Sequence, residues 1–382
     1  MYGMIDLGME YVTSLDESSI ALSIVDSIRS STDAPMNSCI QAAISTLTTI
    51  NDNIKSCEKL DGVLDKLVHF NVNVNECRDG RDLNHLKNII IELCMQKEEL
   101  TNTVRECDDS LIESLRVYCD ILRKTLPEVA QNEVNDLEVV KNLVELYVKE
   151  QKEVVSLCII ESIEVIASVS PSIVITFLAD SPLLVSLSSR LSSTTVTSSQ
   201  DFDKMDISIL SLMSKILSSS SSPPIDTLQF LDIQFAYRLW NFFHNGCIQS
   251  IHVLVLLHKW RLNDPSTVIL ALSQNPHSNI GEKLIEYCIR EPSKDKFELL
   301  EGIFSDTEIV SSIFYSNDLG VLMHVCGQHL LNEENEDIRR SILKFFIIAG
   351  SNGYGDCHAI ESVESCTMND PLVDEARQAL VK

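Results

Sequence analysis

The sequence predicts an all-α protein, an armadillo/HEAT-like helical repeat solenoid, and three observations favour that fold class. Short apolar segments with helical periodicity recur along most of the 382 residues, and each ends at proline or at a polar cluster. Glycine (12) and proline (10) are scarce, whereas turn-rich β folds use more of both. Apolar residues make up 45% of the chain, and they occupy more than one face of each segment, as they must where a helix packs on neighbours at both sides.

The first region, residues 1–126, is expected to be helical. Apolar residues recur every three or four positions from residue 82 to residue 107. Such a stripe fits either a helix pair inside a stack or the seam of a dimeric coiled coil. The sequence Asp109-Ser110-x-x-Glu113 resembles a capping box, so we expect a new helix to begin there. That break in the stripe favours the helix pair.

Residues 127–382 are expected to form an armadillo-like repeat domain, which could also continue the first region as one solenoid. Two serine-rich stretches, 192–200 and 218–224, are too polar to pack and are expected to be mobile loops. Helices are predicted at 137–149, 154–169, 173–178, 183–191, 207–217, 228–243, 248–260, 268–272, 280–289, 297–304, 319–331, 337–348 and 372–381.

The formal net charge of −26 restricts the partners of this protein. Residues 1–150 hold 27 acidic and 14 basic residues, which leaves 29 and 16 for the remainder, so each portion carries about −13. No basic segment is hidden under the average, which argues against nucleic acid and against an anionic membrane surface as partners. A basic protein surface would be attracted instead. The same acidity would also keep a leucine-rich protein soluble without any partner.

The cysteines and the start of the chain indicate a reducing, cytoplasmic location. Twelve cysteines are scattered without a C-x-x-C pair, and most lie in apolar helical segments, where a free thiol acts as a small hydrophobe. The first ten residues carry acids and no basic leader. No run approaches 18 apolar residues, so we expect no membrane insertion.

Patterns that would indicate an enzyme are weak, and we expect no catalytic residue, cofactor, metal or small-molecule substrate. On one helix His324 and His329 would diverge around Cys326, so that group is expected to be structural. Adjacent Cys357 and His358 do not by themselves make a nucleophile–base pair. The glycine-rich run 350–355 lacks the Lys-Ser/Thr ending of a phosphate-binding loop and is expected to connect two helices.

The segment from Glu282 to Gly350 carries a family resemblance. It contains Glu282-Lys283-Leu284-Ile285-Glu286-Tyr287 and Arg290-Glu291, then Phe314-Tyr315-Ser316-Asn317-Asp318-Leu319-x-Val321-Leu322, and later Ile338-Arg339 to Phe345. This order resembles the leucine-rich, armadillo-like domain of the WISH/DIP/SPIN family of actin regulators. The chain is similar to a short fungal member, without the SH3 domain and proline-rich region of the animal proteins. Gly320 and Gln328-His329-Leu330 depart from the family pattern.

The resemblance implies a specific function. Such proteins bind the actin-related protein 2/3 complex and activate it without a preformed filament. They thereby nucleate linear filaments that seed branched networks at cortical actin patches during endocytosis. They reach the actin filament only through that complex. The two tryptophans, Trp240 and Trp260, lie inside apolar segments, and no acidic tail ending in tryptophan is present, so a monomer-delivering mechanism of the WASP type is not expected.

The expected roles of individual residues follow from helix geometry. Aromatic residues before an Asn-Asp pair suit a helix boundary, because the rings anchor the turn and the polar pair accepts hydrogen bonds from the free N–H groups. A structural role is therefore expected for Phe314, Tyr315, Asn317, Asp318, Leu319, Val321 and Leu322. Partner binding is expected of His324 and Gln328, four apart on one helix face, and of Arg339, Arg340 and Lys344 on the next helix, although these three could also be solvated surface charge.

Two alternative functions stay open at this point. The chain could be a general armadillo-type adaptor for a basic partner, although two tryptophans 20 residues apart are fewer than the Asn and Trp ladders of peptide-binding armadillo grooves require. It could also be a helical enzyme or lipid carrier, which would need an internal pocket with converging polar groups.

Overall fold

A computed structural model describes residues 16–53, 58–70, 76–99, 105–193, 203–219, 225–260, 266–274, 276–277 and 279–381. Within these ranges the chain forms α-helices, one 3₁₀ helix and their connections, and no strand. The predicted all-α fold of armadillo/HEAT-like helical repeats is confirmed. Contacts between residues divide the chain into two compact units, Met1–Phe177 and Leu178–Lys382.

The first unit contains helices α1 to α8 and the start of α9. Helices α4 and α5 pack against each other as the predicted pair, and they also pack on α7 and α8 respectively. The bounds are α1 Glu17–Thr32, α2 Met36–Asn53, α3 Glu58–Val68, α4 Arg78–Glu99, α5 Arg105–Lys124, α6 Pro127–Val134, α7 Glu138–Lys149, α8 Glu153–Val169 and α9 Pro171–Asp180.

Two details of the first unit differ from the sequence-based expectations. Helix α5 runs past Asp109 without a break, so the helix start expected there is wrong. The preceding residue, Asp108, is buried and bonds the ammonium groups of Lys97 and Lys152, which holds this turn inside the helix stack. The sequence placed a boundary after residue 126, whereas the contacts place it after residue 177, because helices on both sides of residue 126 pack together.

The second unit contains the remaining helices. Of the two serine-rich stretches expected to be mobile loops, 192–200 and 218–224, residues 192–193 and 218–219 are the last residues of helices, and the rest lies outside the described residues. The bounds are α10 Leu183–Ser193, α11 Lys204–Ser219, a 3₁₀ helix Ile225–Phe230, α12 Ile233–His244, α13 Ile248–Lys259, α14 Thr267–Gln274, α15 Asn279–Arg290, α16 Lys294–Phe304, α17 Thr307–Ile313, α18 Ser316–Asn332, α19 Glu336–Ser351, α20 Cys357–Glu364 and α21 Pro371–Leu380.

Three successive three-helix repeats organise the second unit. Each has a short first helix followed by two longer helices: the 3₁₀ helix with α12 and α13, then α14 to α16, then α17 to α19. The third helices begin at Ile248, Lys294 and Glu336, 46 and then 42 residues apart. Third helices pack on third helices and second helices on second helices, and α20 and α21 continue both rows. This is the nearest-neighbour stacking of an armadillo-type repeat.

The third helices form the core of this unit. Phe345 of α19 lies edge-on to Phe304 of α16, with ring centroids 4.9 Å apart, and Phe304 also contacts Phe314 at 5.6 Å. Trp240 on α12 is buried, and its indole N–H donates to the carbonyl of Val268 at 2.9 Å. The apolar faces predicted from the sequence therefore meet along one continuous row of rings and aliphatic side chains.

Glycine allows the last second-row helices to approach closely. A Cβ atom added at Gly327 of α18 would collide with the hydroxyl oxygen of Ser362 on α20. That space fixes the distance between α18 and α20, which run in the same direction. No single helix in the described part of the chain has the length and apolar character needed to cross a bilayer.

Candidate protein-binding surface

The outer face of α18 carries a row of exposed residues. Asn317, Val321, His324, Gln328 and Leu331 recur at steps of three and four and therefore share one side of the helix. Val321 is 50% exposed and Leu331 is 41% exposed. The opposite side of α18 packs on α15, α19 and α20. This row, called the α18 row below, presents apolar and neutral polar groups in an otherwise acidic chain.

At the start of α18 some side chains are buried in the core and others are exposed to solvent. Phe314 is buried against Phe304, and Leu322 is fully buried. A carboxylate oxygen of Asp318 accepts a hydrogen bond from the backbone N–H of Tyr315 at 3.3 Å, which caps the first turn. Leu319 is half-buried. Phe314 and Leu322 are thus core residues, and Asp318 caps its own helix.

Tyr315 differs from the expectation that it packs. Its residue is 64% exposed, because it occupies the extended N-cap position, from which the chain turns into α18. Asn317 is exposed as well and, with Val321, belongs to the α18 row. Tyr315 is thus an exposed aromatic residue at the N-terminus of α18.

The five residues expected to bind a partner lie on two helices. His324 and Gln328 are exposed on α18, and the His324 ring lies 4.9 Å from the ring of His358 on α20. Lys344 is exposed on α19 and forms no ion pair with any described residue. No hydrogen bond or ion pair among the described residues joins the α18 pair to the three basic residues of α19.

Arg339 and Arg340 are held by their own repeat. The guanidinium of Arg340 donates to Asp370 at 2.8 Å, and Asp370 also caps the start of α21, so the pair ties α19 to α21. This ion pair lowers the pKa of the Asp370 carboxyl. Arg339 donates to the sulfur of Cys366 at 3.2 Å. Both arginines therefore have a structural use, which leaves Lys344 as the more available cation of the three.

A surface pocket lies between α12, α13 and α15. The sequence analysis assigned no role to the residues that line it. Its volume is about 100 Å³, well below the roughly 300–1,000 Å³ of small-molecule sites. Its size suits one inserted side chain. The lining residues are Phe243, Gly246, Ile248, Lys283, Glu286, Tyr287 and Arg290. Four of them belong to the segment that carries the family resemblance. That resemblance was the one sequence feature that could have drawn attention to these residues.

Charged groups around the pocket are fixed in place. The ammonium of Lys283 donates to the carbonyls of Phe243 and His244 at the end of α12, and burial lowers the pKa of Lys283. Glu286 and Arg290 form an exposed ion pair one helical turn apart. Lys296 lies 4.1 Å from the centre of the Tyr287 ring, a cation–π contact, and burial raises the pKa of Tyr287. The pocket thus has an aromatic wall and a rim of both charges.

The group His324, Cys326 and His329 does not form a metal site. Cys326 is fully buried, and burial raises the pKa of its thiol well above the usual value. His329 lies beside the backbone of Cys288, on another side of the helix from His324. The structure instead brings His324 towards α20, where Asp356, Cys357 and His358 hold their ligand atoms within 4.8 Å of one another.

Comparisons with known proteins do not identify the chain. No protein-family model matches it, and no curated protein matches it. Among solved structures it is similar to an engineered protein determined by the Northeast Structural Genomics Consortium, at 14% identity and a TM-score of 0.43, over 90% of this chain and 77% of that one. A second engineered protein from the same consortium gives 17% identity and a TM-score of 0.35, over 63% and 97% of the two chains.

Proposed function

We propose that this chain is an activator of the actin-related protein 2/3 complex of the WISH/DIP/SPIN type, which binds the complex and nucleates linear filaments without a preformed filament. One observation carries the proposal. Four residues of the segment that resembles the family, Lys283, Glu286, Tyr287 and Arg290, line a surface pocket. Side chains at the surface are available to a partner, whereas buried ones serve the fold alone.

The pocket and the α18 row lie on adjoining second-row helices. Helix α15 carries the pocket residues, and it packs directly on α18. A partner that inserts one side chain at Tyr287 would meet an aromatic wall and a charged pair. Exposed aromatic residues flanked by polar groups are typical of the centres of protein interfaces. We therefore assign α15 and α18 as the docking helices, with Tyr315 and Val321 as further apolar contacts.

Activation in this proposal is a population shift. The activator binds the active arrangement of the complex better than the inactive one, and it can shift the equilibrium only by that difference in affinity. Moving an equilibrium from about 1:99 to 99:1 takes roughly a 10⁴-fold preference. A rigid docking face suits this task, since a stack of helices loses little conformational entropy on binding.

The test mixes the purified chain with the purified complex and actin monomers, without filament seeds and without a WASP-type protein. The proposal predicts faster polymerisation with increasing chain, and no acceleration when the complex is left out. An unchanged lag phase with folded chain would refute the proposed activity.

A matched pair of variants links this activity to the pocket. Glu286→Ala/Arg290→Ala removes the exposed ion pair at the pocket, and we expect it to reduce the acceleration severalfold. Asp374→Ala/Arg377→Ala removes a similar exposed pair on α21, at an N–O distance of 2.9 Å in the wild type, and should leave the acceleration unchanged. Equal activities of the two variants would remove the pocket from the docking surface.

A general adaptor for a basic partner is the second candidate, and the net charge of −26 favours it. Such an adaptor would bind cationic peptides with strong salt dependence and would not change actin polymerisation. The actin assay therefore separates the two functions. In either case we propose a non-enzymatic protein of the cytoplasm, and in the first case one located at cortical actin patches.

A further inference from the structure

We propose that Asp356, Cys357, His358 and His324 form a binding site for Zn²⁺, independent of any action on actin. Carboxylate oxygen, thiolate sulfur and imidazole nitrogen are all ligands that zinc accepts. The ligand atoms of the first three residues lie within 4.8 Å of one another. The fourth residue comes from α18, in the preceding repeat, and its ring centroid lies 4.9 Å from that of His358.

The ligand atoms lie further apart than they would around a bound zinc ion. Zinc bonds of about 2.0–2.3 Å in a tetrahedron place ligand atoms roughly 3.3–3.8 Å apart. In this proposal the side chains of Asp356, Cys357 and His358 rotate to close this gap, and the ring of His324 turns towards them. Cys357, His358 and His324 are exposed, so their rotations meet little resistance.

Asp356 can cap its helix and bind a metal at the same time. Its Oδ1 accepts a hydrogen bond from the backbone N–H of His358 at 2.8 Å, which fixes the carboxylate at the start of α20. Its Oδ2 faces α18, 3.9 Å from the position that a Cβ atom at Gly320 would take. One oxygen is thus committed to the helix, and the other remains for a cation.

His358 has a second carboxylate beside its other ring nitrogen. Its Nδ1 lies 3.8 Å from Oε2 of Glu361, one helical turn further along α20. Metal-binding histidines commonly donate their second N–H to a carboxylate, which orients the ring and raises its basicity. A hydrogen bond from Nδ1 to Glu361, formed as the ring turns towards the metal, would leave Nε2 of His358 as the ligand atom.

The frame that holds the four ligands is rigid. Gly327 and Ser362 fix the spacing of α18 and α20, and the two helices run side by side. Gly320 on one turn of α18 therefore lies opposite Asp356, and His324 on the next turn lies opposite His358. A metal bound here would join α18 to α20. It would also hold His324, which is one of the exposed residues of the α18 row.

Cobalt spectroscopy tests the site because Co²⁺ reports its ligands. Reduced, metal-free protein should bind one Co²⁺, with a thiolate-to-cobalt charge-transfer band and the visible bands of a tetrahedral ion, and Zn²⁺ should displace it. Excess Mg²⁺ should not compete, which separates this site from the general attraction of an acidic chain for cations. An absence of these bands would overturn the proposal.

Four variants identify the ligands. Cys357→Ser should abolish the charge-transfer band, whereas Cys366→Ser, at a half-buried cysteine on the next connection, should keep it. His324→Ala should weaken binding roughly tenfold or more, whereas His69→Ala, at an exposed histidine in the first unit, should not change it. Zn²⁺ should raise the melting temperature of the wild type and not that of Cys357→Ser. Binding that persists unchanged in Cys357→Ser or in His324→Ala would contradict the assignment.

Discussion

Helices α18 and α19 of the third repeat pack on each other but differ in how much of their surface is exposed. Along α19, Phe345 and Phe346 are fully buried, and Phe345 contacts the rings of Phe297 and Phe304 in the preceding repeat. Along α18, Val321, His324 and Gln328 are exposed, and His324 lies at the edge of this face beside His358 of α20. The difference teaches that, in this repeat, the third helix supplies the aromatic packing, whereas the second helix keeps exposed residues that are available for recognition.

The largest effect is expected from a cavity in the row of third helices. Phe345→Ala removes a ring that touches Phe297, Phe304 and Phe346, and truncation of a buried phenylalanine costs about 3–5 kcal/mol of unfolding free energy. Leu331→Ala on α18 should cost no more than about 0.5 kcal/mol. Urea denaturation of both variants measures the contrast, and equal costs would contradict the division between the two helices.

An intermediate effect is expected where α18 packs on α20. Gly327→Ala places a methyl group against Ser362, and overpacking of this kind costs about 1–3 kcal/mol. Ser362→Ala removes the colliding oxygen, so the double variant should be more stable than the sum of the single changes predicts. Strict additivity in thermal or urea denaturation would show that the two residues do not limit the approach of the helices.

The pH dependence of the second unit tests the buried side of α18. Burial lowers the pKa of His329, and its Nε2 has no hydrogen-bond partner among the described residues. Because the unfolded chain then binds the proton more readily than the folded one, stability should fall as the pH drops through about 6.5, the unfolded value, and continue to fall until the folded pKa is passed. His329→Gln should flatten this slope in urea melts between pH 7.5 and 5.5, and His69→Gln should not. An unchanged slope in His329→Gln would assign the pH dependence to other groups.

The smallest effect on stability, and a large one on function, is expected in the α18 row. Val321→Asp places a charge on an exposed position, so the free energy of unfolding from urea denaturation should change by no more than about 0.5 kcal/mol. If α18 docks on the actin-related protein 2/3 complex, the same change should weaken binding of the complex in a pull-down or by calorimetry. Normal binding by Val321→Asp together with weak binding by Glu286→Ala/Arg290→Ala would restrict the docking surface to α15.

The spacing of the apolar segments predicted the bounds of most long helices to within a few residues. The segments 207–217, 297–304 and 319–331 correspond to α11, α16 and α18. Helices α17 and α20, seven and eight residues long, were missed, whereas the equally short α14 was predicted from the apolar segment 268–272. The signal for each of the two missed helices was a single aspartate: Asp306 and Asp356 each accept hydrogen bonds from the first turn of the helix that follows.

The spatial groups were harder to predict than the helices. His324 lies more than thirty residues before His358, and their proximity depends on the register between two parallel helices, which no local pattern encodes. The pocket at Tyr287 likewise forms between α12 and α15, in successive repeats. The capping role of Asp318 was predictable, because it acts within one turn of its own helix. Local rules therefore predicted caps and helix lengths, whereas the sites required the packing of repeats.

Direct imaging of single actin filaments tests the central proposal most directly. The reaction contains labelled actin monomers, labelled actin-related protein 2/3 complex and this chain, without seeds or a WASP-type protein. The proposal predicts new unbranched filaments in numbers that rise with the chain, each with the complex at one end, and fewer of them with Glu286→Ala/Arg290→Ala. Filament numbers equal to those of actin and complex alone would contradict it.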